Sequence, residues 1–250
     1  MTMRFGGLDL GGRGAGTTAL AVVEERGGDP HLVSVEVGPD LRGPRGDAAL
    51  VRACVAAGVT RAAIDAPLSL PHAVTCADER CARCLGGEVS PATGSRRADR
   101  AEAWAAAGHP EKPPMATAMI AGIAFRAIHL ARRFAVAGIA CDETWPMGTY
   151  RALLRATGHT GPVPDDARRR ALAGAVGGLD GVIGTAAIPA GPTRDALDAV
   201  AAAFCAWAIA TDRATPVGDP AEGVIWVAPR PPGVAEPFGL ARRAHARNNR

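Results

Sequence analysis

Lysine is almost missing from this chain: Lys112 is the only one, and the other basic side chains are arginines. Arginine suits bidentate contact with phosphate, although an Arg- and Ala-rich genome accounts for the same bias. The formal net charge of +3 is too small to argue for a nucleic-acid partner by itself. No uninterrupted apolar run reaches the roughly 18 residues of a membrane span, so no membrane partner is expected. The opening residues lack the apolar core of a signal peptide, which makes the cytoplasm the expected compartment. There is no internal repeat. What is present, 48% hydrophobic and 21% charged residues over 250 positions, is the composition of a folded soluble protein with a substantial core. We expect one domain over residues 1–230, an insertion at 68–114, and a basic tail at 231–250.

Met3–Leu10 and Thr17–Glu24 are apolar runs flanking a Gly-rich turn, the pattern of a β-hairpin. His31–Val37 is β-branched and alternates, which predicts a third strand after the turn Gly27-Gly28-Asp29-Pro30. Asp47–Ala57 has helical periodicity and stops at Gly58. A short buried strand ends at Asp65, where Pro67 and Pro71 prevent regular continuation. Helices are predicted over Ala116–Ala137, with Met119 on the apolar side, and over Thr149–Ala156, Asp165–Ala175 and Arg194–Ala210, the last capped by Gly191-Pro192-Thr193. Strands are predicted at Ile139–Pro146 and Gly223–Val227. An antiparallel hairpin followed by alternating strands and helices implies a mixed α/β sheet with helices on its faces.

Four acids stand out by position. Asp9 interrupts an apolar strand, where an ionised carboxylate needs a partner or a metal. Asp65 closes the fourth strand, and Asp195 and Asp198, three residues apart, share one face of the late helix. If the first and fourth strands are neighbours and the helix crosses their ends, the carboxylates converge. Such a cluster repels itself, and hard divalent cations, Mg²⁺ or Mn²⁺, relieve the conflict. Each acid also has a plainer role open to it. Asp195 suits a helix N-terminus, Asp198 a solvated face, and Asp65 a local turn.

Gly-Leu-Asp9-Leu, the run Ile64-Asp65-Ala66-Pro67-Leu68-Ser69-Leu70-Pro71, Glu143-Thr-Trp-Pro146, Asp195-Ala-Leu-Asp198-Ala and Gly218-Asp-Pro-Ala-Glu-Gly-Val-Ile225 together resemble a family of predicted RNase H-like nucleases. The resemblance runs from the first strand to about Pro229. It implies an RNase H-like mixed five-stranded sheet with an antiparallel first hairpin, helices on both faces, and acids on the first strand, fourth strand and last core helix. Asp9, Asp65, Asp195 and Asp198 match those places, and Holliday-junction resolvases of the same superfamily look similar in their paired helix acids. Glu143, in a matching motif, is a further candidate for the catalytic set, either as a ligand or, as we favour, as a support that holds Arg or backbone groups. Glu222-Gly223 also matches, with a turn as the plainer reading.

The insertion carries His72, Cys76, Cys81 and Cys84, a His-x3-Cys-x4-Cys-x2-Cys run. Cys-x2-Cys suits structural zinc; Cys-x4-Cys-x2-Cys is also an iron–sulfur spacing; reduced thiols on a loop fit equally. Cys54, Cys141 and Cys205 read as small core residues. A helix near Arg96–Ala107 carries Arg96, Arg97 and Arg100 close to Trp104, a face that could hold a phosphate backbone or stack a base, or simply be solvated.

The leading reading is a two-metal carboxylate nuclease that hydrolyses phosphodiester bonds of DNA or RNA. A second is an ATP-handling protein of the actin and sugar-kinase class, since Asp9-Leu-Gly-Gly with Thr17-Thr18 looks similar to a phosphate loop. That architecture needs two copies of the domain, and the sequence has one. A third is a catalytically silent RNase H-like binding module.

Overall fold

The computed structural model describes residues 2–11, 18–38, 43–85, 95–109, 117–180 and 193–229. The turn at 12–17, the cap at 191–192 and the tail at 231–250 lie outside them. Five strands, β1 (Arg4–Asp9), β2 (Thr18–Arg26), β3 (Asp29–Gly38), β4 (Val59–Asp65) and β5 (Ala140–Glu143), form one sheet in the order β3-β2-β1-β4-β5. β1 is antiparallel to β2 and parallel to β4, and β3 and β5 continue those two directions outward. Order and direction together are those of an RNase H-like sheet. Its centre is β1, the strand that carries Asp9.

Local chemistry explains the register. Gly27 and Gly28 both have positive φ, 63° and 92°, as a two-residue hairpin turn requires. The turn is therefore shorter than the four residues expected, and Asp29 and Pro30 already belong to β3. Pro30 is tolerated because β3 is an edge strand. β2 is buried without interruption from Thr18 to Glu24, so it shows no alternation, as befits a strand covered on both faces.

Helices α1 (Gly43–Ala56) and α5 (Ala121–Val136) cover one face. Leu50, Cys54, Leu130 and Phe134 meet Leu8, Leu20, Val22 and Ile64 there. The other face carries α6 (Pro146–Ala156), α7 (Asp165–Ala173) and the long α8 (Thr193–Ala210). α8 is buried almost all round because sheet, α6 and α7 enclose it, and its run of alanines lets them approach closely. Gly7 is the tightest point. A Cβ there would lie 2.1 Å from both the Ala199 carbonyl oxygen and the Ala203 nitrogen. β1 and α8 thus touch backbone to backbone, which brings the N-terminal turn of α8 over the end of β1.

Between β4 and α5 the described residues form α2 (His72–Thr75), α3 (Ala82–Leu85), a 3-10 turn at Arg97–Asp99 and α4 (Ala101–Ala106). The 3-10 turn and α4 pack on a separate hairpin, β6 (Thr215–Asp219) and β7 (Gly223–Val227), through Ala98, Trp104, Val217, Ile225 and Val227. β6 was not anticipated, since Pro216 and Gly218 obscure a strand pattern. The helix expected over 116–137 is instead a 3-10 turn, Thr117–Ile120, followed by α5, and Met119 is 73% exposed on that turn, not on an apolar side. No helix among the described residues is long and apolar enough to cross a membrane.

Replacing Gly7 with Ala should force α8 off the sheet and destabilise the chain by at least about 2 kcal/mol, at the upper end of core overpacking. Gly6→Ala, whose Cβ would meet only side chains at 3.3 Å and beyond, should cost less. Denaturant unfolding of the two variants measures the difference.

Candidate active site

Asp9 and Asp65 are the last residues of neighbouring parallel strands and stand opposite each other in register. Strand alternation decides which way they face. Phe5 on β1 and Ala63 on β4 lie in the α8 cluster, whereas Leu8 and Ile64 lie in the α1–α5 cluster. Counting by twos puts Asp9 and Asp65 on the α8 side. There Asp198 acts electrostatically on both, and Asp195, one turn earlier on α8, acts on Asp9. Asp9 and Asp198 therefore link the four carboxyls expected from the sequence: Asp65 interacts with both, and Asp195 acts on both.

Their charges are in conflict. Burial, then repulsion by Asp198 and Asp195, pushes the Asp9 carboxyl up to about 8 from an ordinary 3.8, against a smaller opposing pull from Arg168. Asp65 is likewise held well above the ordinary carboxylate range by burial, then by Asp9, Asp198 and Glu143, against Arg168. Both residues keep partial exposure to solvent, while protein atoms pack around their carboxyls. Burial also raises Asp198 and, more weakly enclosed, Asp195. The acids are not drawn into one tight shell: among the described residues, the group of three or more potential ligand atoms mutually within 4.8 Å is the His and Cys group of the insertion.

Arg168 escaped the sequence reading. Its Nη1 donates to both Asp198 oxygens at 3.0 and 3.1 Å, and its guanidinium lies 5.3 Å from the centre of the Tyr150 ring. Arg168 sits in a run of three arginines, two of them unremarkable surface residues. The available signal was its spacing: it falls four residues before buried Leu172, on the inward stripe of α7. Tyr150, the only tyrosine, is fully buried. Its hydroxyl makes no hydrogen bond of ordinary geometry, yet burial and nearby Asp198 hold its proton on strongly.

Glu143 is buried and already engaged. Arg96 donates to its two oxygens at 2.6 and 2.7 Å, and the Leu68 N–H donates at 2.8 Å. Those bonds brace the segment just after Asp65, a supporting role, and leave Glu143 little capacity for a cation. The same pair corrects the reading of the Arg-bearing helix. Arg96 is fully buried, shared among Glu143, Asp99 and Ser69, because a guanidinium removed from water needs its donors satisfied. Trp104 is also fully buried, edge-on to Trp145 at 4.9 Å, so it offers no face for a base. A cavity of about 40 Å³ remains between Asp65, Arg96 and Glu143, enough for water.

Glu222, whose plainer reading was a turn, accepts the backbone N–H groups of His72 and Arg97, each at 2.8 Å. Of the proposed phosphate loop, Gly12 and Thr17 lie outside the described residues. Thr18 accepts from Gly11 N–H at 3.1 Å and Arg126 Nη1 at 3.0 Å, closing the end of the hairpin. His72, Cys76, Cys81 and Cys84 gather in the insertion, and all six cysteines are free.

Sheet order, strand directions and the helix layers define an α/β protein of the RNase H-like class. The chain belongs to the DUF429 family, described as a protein of unknown function, whose model matches residues 7–223. A search of curated proteins returns no match. Among solved structures the chain is similar to T. thermophilus RuvC in complex with Holliday junction substrate, at 15% identity over 82% of this chain and 94% of that one, with a TM-score of 0.42.

The raised Asp9 carboxyl has a testable sign. Its folded value of about 8 exceeds the ordinary 3.8, so the stability it contributes is complete below about pH 4 and is lost as pH rises through 8. Without added divalent cation, Asp9→Asn should therefore melt higher than wild type above pH 8, by on the order of 1–3 kcal/mol once partial exposure is allowed for. Below pH 4 the two should converge. Thermal unfolding across pH checks both ends.

Proposed function

We propose that this chain is a divalent-cation-dependent phosphodiesterase acting on nucleic acid. The observation that carries the reading is the in-register pair Asp9 and Asp65, faced by Asp198 and Asp195 and opposed by too little positive charge. Arg168 bears on Asp9, Asp65 and Asp198, while Arg194 bears on Asp195. Carboxylate oxygens suit Mg²⁺ or Mn²⁺. Asp9, Asp65, Asp198 and Asp195 would hold such ions, with Glu143 kept as a support. When bound, these ions would lower the pKa of an attacking water and neutralise charge on the scissile phosphate and leaving oxygen.

The chain's own residues do the rest. Arg168 fixes the direction of the Asp198 carboxylate. The Glu143–Arg96 pair holds Leu68 and Ser69, and so fixes the backbone leaving Asp65. Asp9 keeps a proton near neutral pH in the cation-free chain and must release it to coordinate. Hydrolysis then adds water across one P–O bond, leaving a phosphate monoester and a free hydroxyl. The actin-like alternative gains no support, since the described residues contain one five-stranded sheet and not two.

The test is a panel of single- and double-stranded DNA, RNA and a four-way junction, with Mg²⁺ or Mn²⁺. Cleavage of at least one substrate is expected, falling at least about 100-fold in Asp9→Asn and in Asp65→Asn, the scale on which charge-stabilising groups act. No cleavage with either cation, or full activity in the folded variants, would refute it.

A further inference from the structure

The insertion has a structural problem of its own. Residues 72–85 include two helices of four residues each, and Val74 is 57% exposed. Isolated helices of that length do not hold in water, and the described apolar clusters draw nothing from this stretch. Among the side chains described here, the half-buried ones are His72, Cys76, Cys81, Arg83 and Cys84, so four of the five are potential metal ligands.

We infer that His72, Cys76, Cys81 and Cys84 bind a single tetrahedral zinc ion, which folds this stretch and fastens it beside the acid site. One ligand atom from each residue lies within 4.8 Å of all the others. With Zn–S near 2.3 Å and Zn–N near 2.0–2.1 Å, the edges of a tetrahedral site come to about 3.5–3.8 Å. The His72 Nε2 to Cys81 Sγ distance of 3.4 Å is already such an edge.

Each half of the set comes from one helical turn. His72 and Cys76 are joined by the Cys76 N–H to His72 carbonyl bond at 2.8 Å, while Cys81 immediately precedes α3 and Cys84 lies within it. Iron–sulfur ligation fits less well. A two-iron cluster divides its ligands between separate irons and pushes the pairs apart, whereas these four atoms leave room for one ion.

The site's attachments say what it does. The His72 backbone is held by Glu222 at 2.8 Å, and Arg83 pairs with Asp219 at 3.6 Å, both carboxylates belonging to the β6–β7 hairpin region. Glu222 also holds the Arg97 N–H, next to the Arg96 that grips Glu143 and Ser69. Zinc at this point closes a ring from the end of β4 through the insertion to the hairpin and back. This inference does not depend on the nuclease reading.

The experiment is metal analysis of the full chain purified under reducing conditions without chelator, followed by Co²⁺ replacement. About one zinc per chain is expected. Co²⁺ should give thiolate-to-metal charge-transfer bands and the strong visible absorption of a tetrahedral site. Cys81→Ser and Cys84→Ser should lose both, while Cys141→Ala and Asp9→Asn keep them, which separates this site from the acids. Because the ligand variants could misfold, the wild-type cobalt spectrum is decisive on its own. A cooperatively folding wild type with substoichiometric zinc and no thiolate–cobalt bands would overturn the proposal.

Discussion

Two carboxylates stand side by side at the ends of β1 and β4, on the same face of a central sheet, with their charges incompletely balanced. Parallel pairing in this register leaves no choice about which way they point, because side chains alternate and their neighbours Gly7 and Ala63 must meet α8. The close approach of α8 over Gly7 removes water from one side and adds Asp195 and Asp198. The fold thus concentrates negative charge where most folds would avoid it. A proton or a cation must answer that charge, and the raised Asp9 and Asp65 carboxyls show the proton's answer.

Around this conflict the polar residues divide into those that hold and those held in reserve. Glu143, Arg96 and Asp99 form a buried network whose members are used up on one another and on the backbone. Breaking such a network costs several kcal/mol, because it strands a buried charge. Arg168 does similar duty for Asp198 from the other side. Asp9 and Asp65 are positioned through their strands, in register at the sheet's end.

Much of this was legible in residue order. Asp9 announced itself by sitting between leucines, and Asp195 and Asp198 by their helical spacing. The β1 to β5 arrangement followed from hairpin, crossover and helix patterns, together with the family resemblance. What was not legible depends on partners distant in the chain. Arg96 read as a basic surface residue because nothing near it in sequence reveals Glu143, 47 positions away. Trp104 read as a stacking platform because its cover comes from Trp145 and the hairpin. Arg168 looked like its two neighbours, and β6 was hidden by Pro216 and Gly218. The cysteine run named four candidate ligands, and the folded insertion brings one polar atom of each to within 4.8 Å of the others.

The central claim is that Asp9 holds a proton until a divalent cation displaces it. Calorimetric titration of the full chain with Mn²⁺ near pH 7, repeated in buffers of different ionisation enthalpy, measures affinity and proton release together. The account predicts that binding releases protons, strengthens as pH rises towards 8, and is lost in Asp9→Asn. Binding of equal strength in Asp9→Asn, with no protons released by either protein, would contradict it.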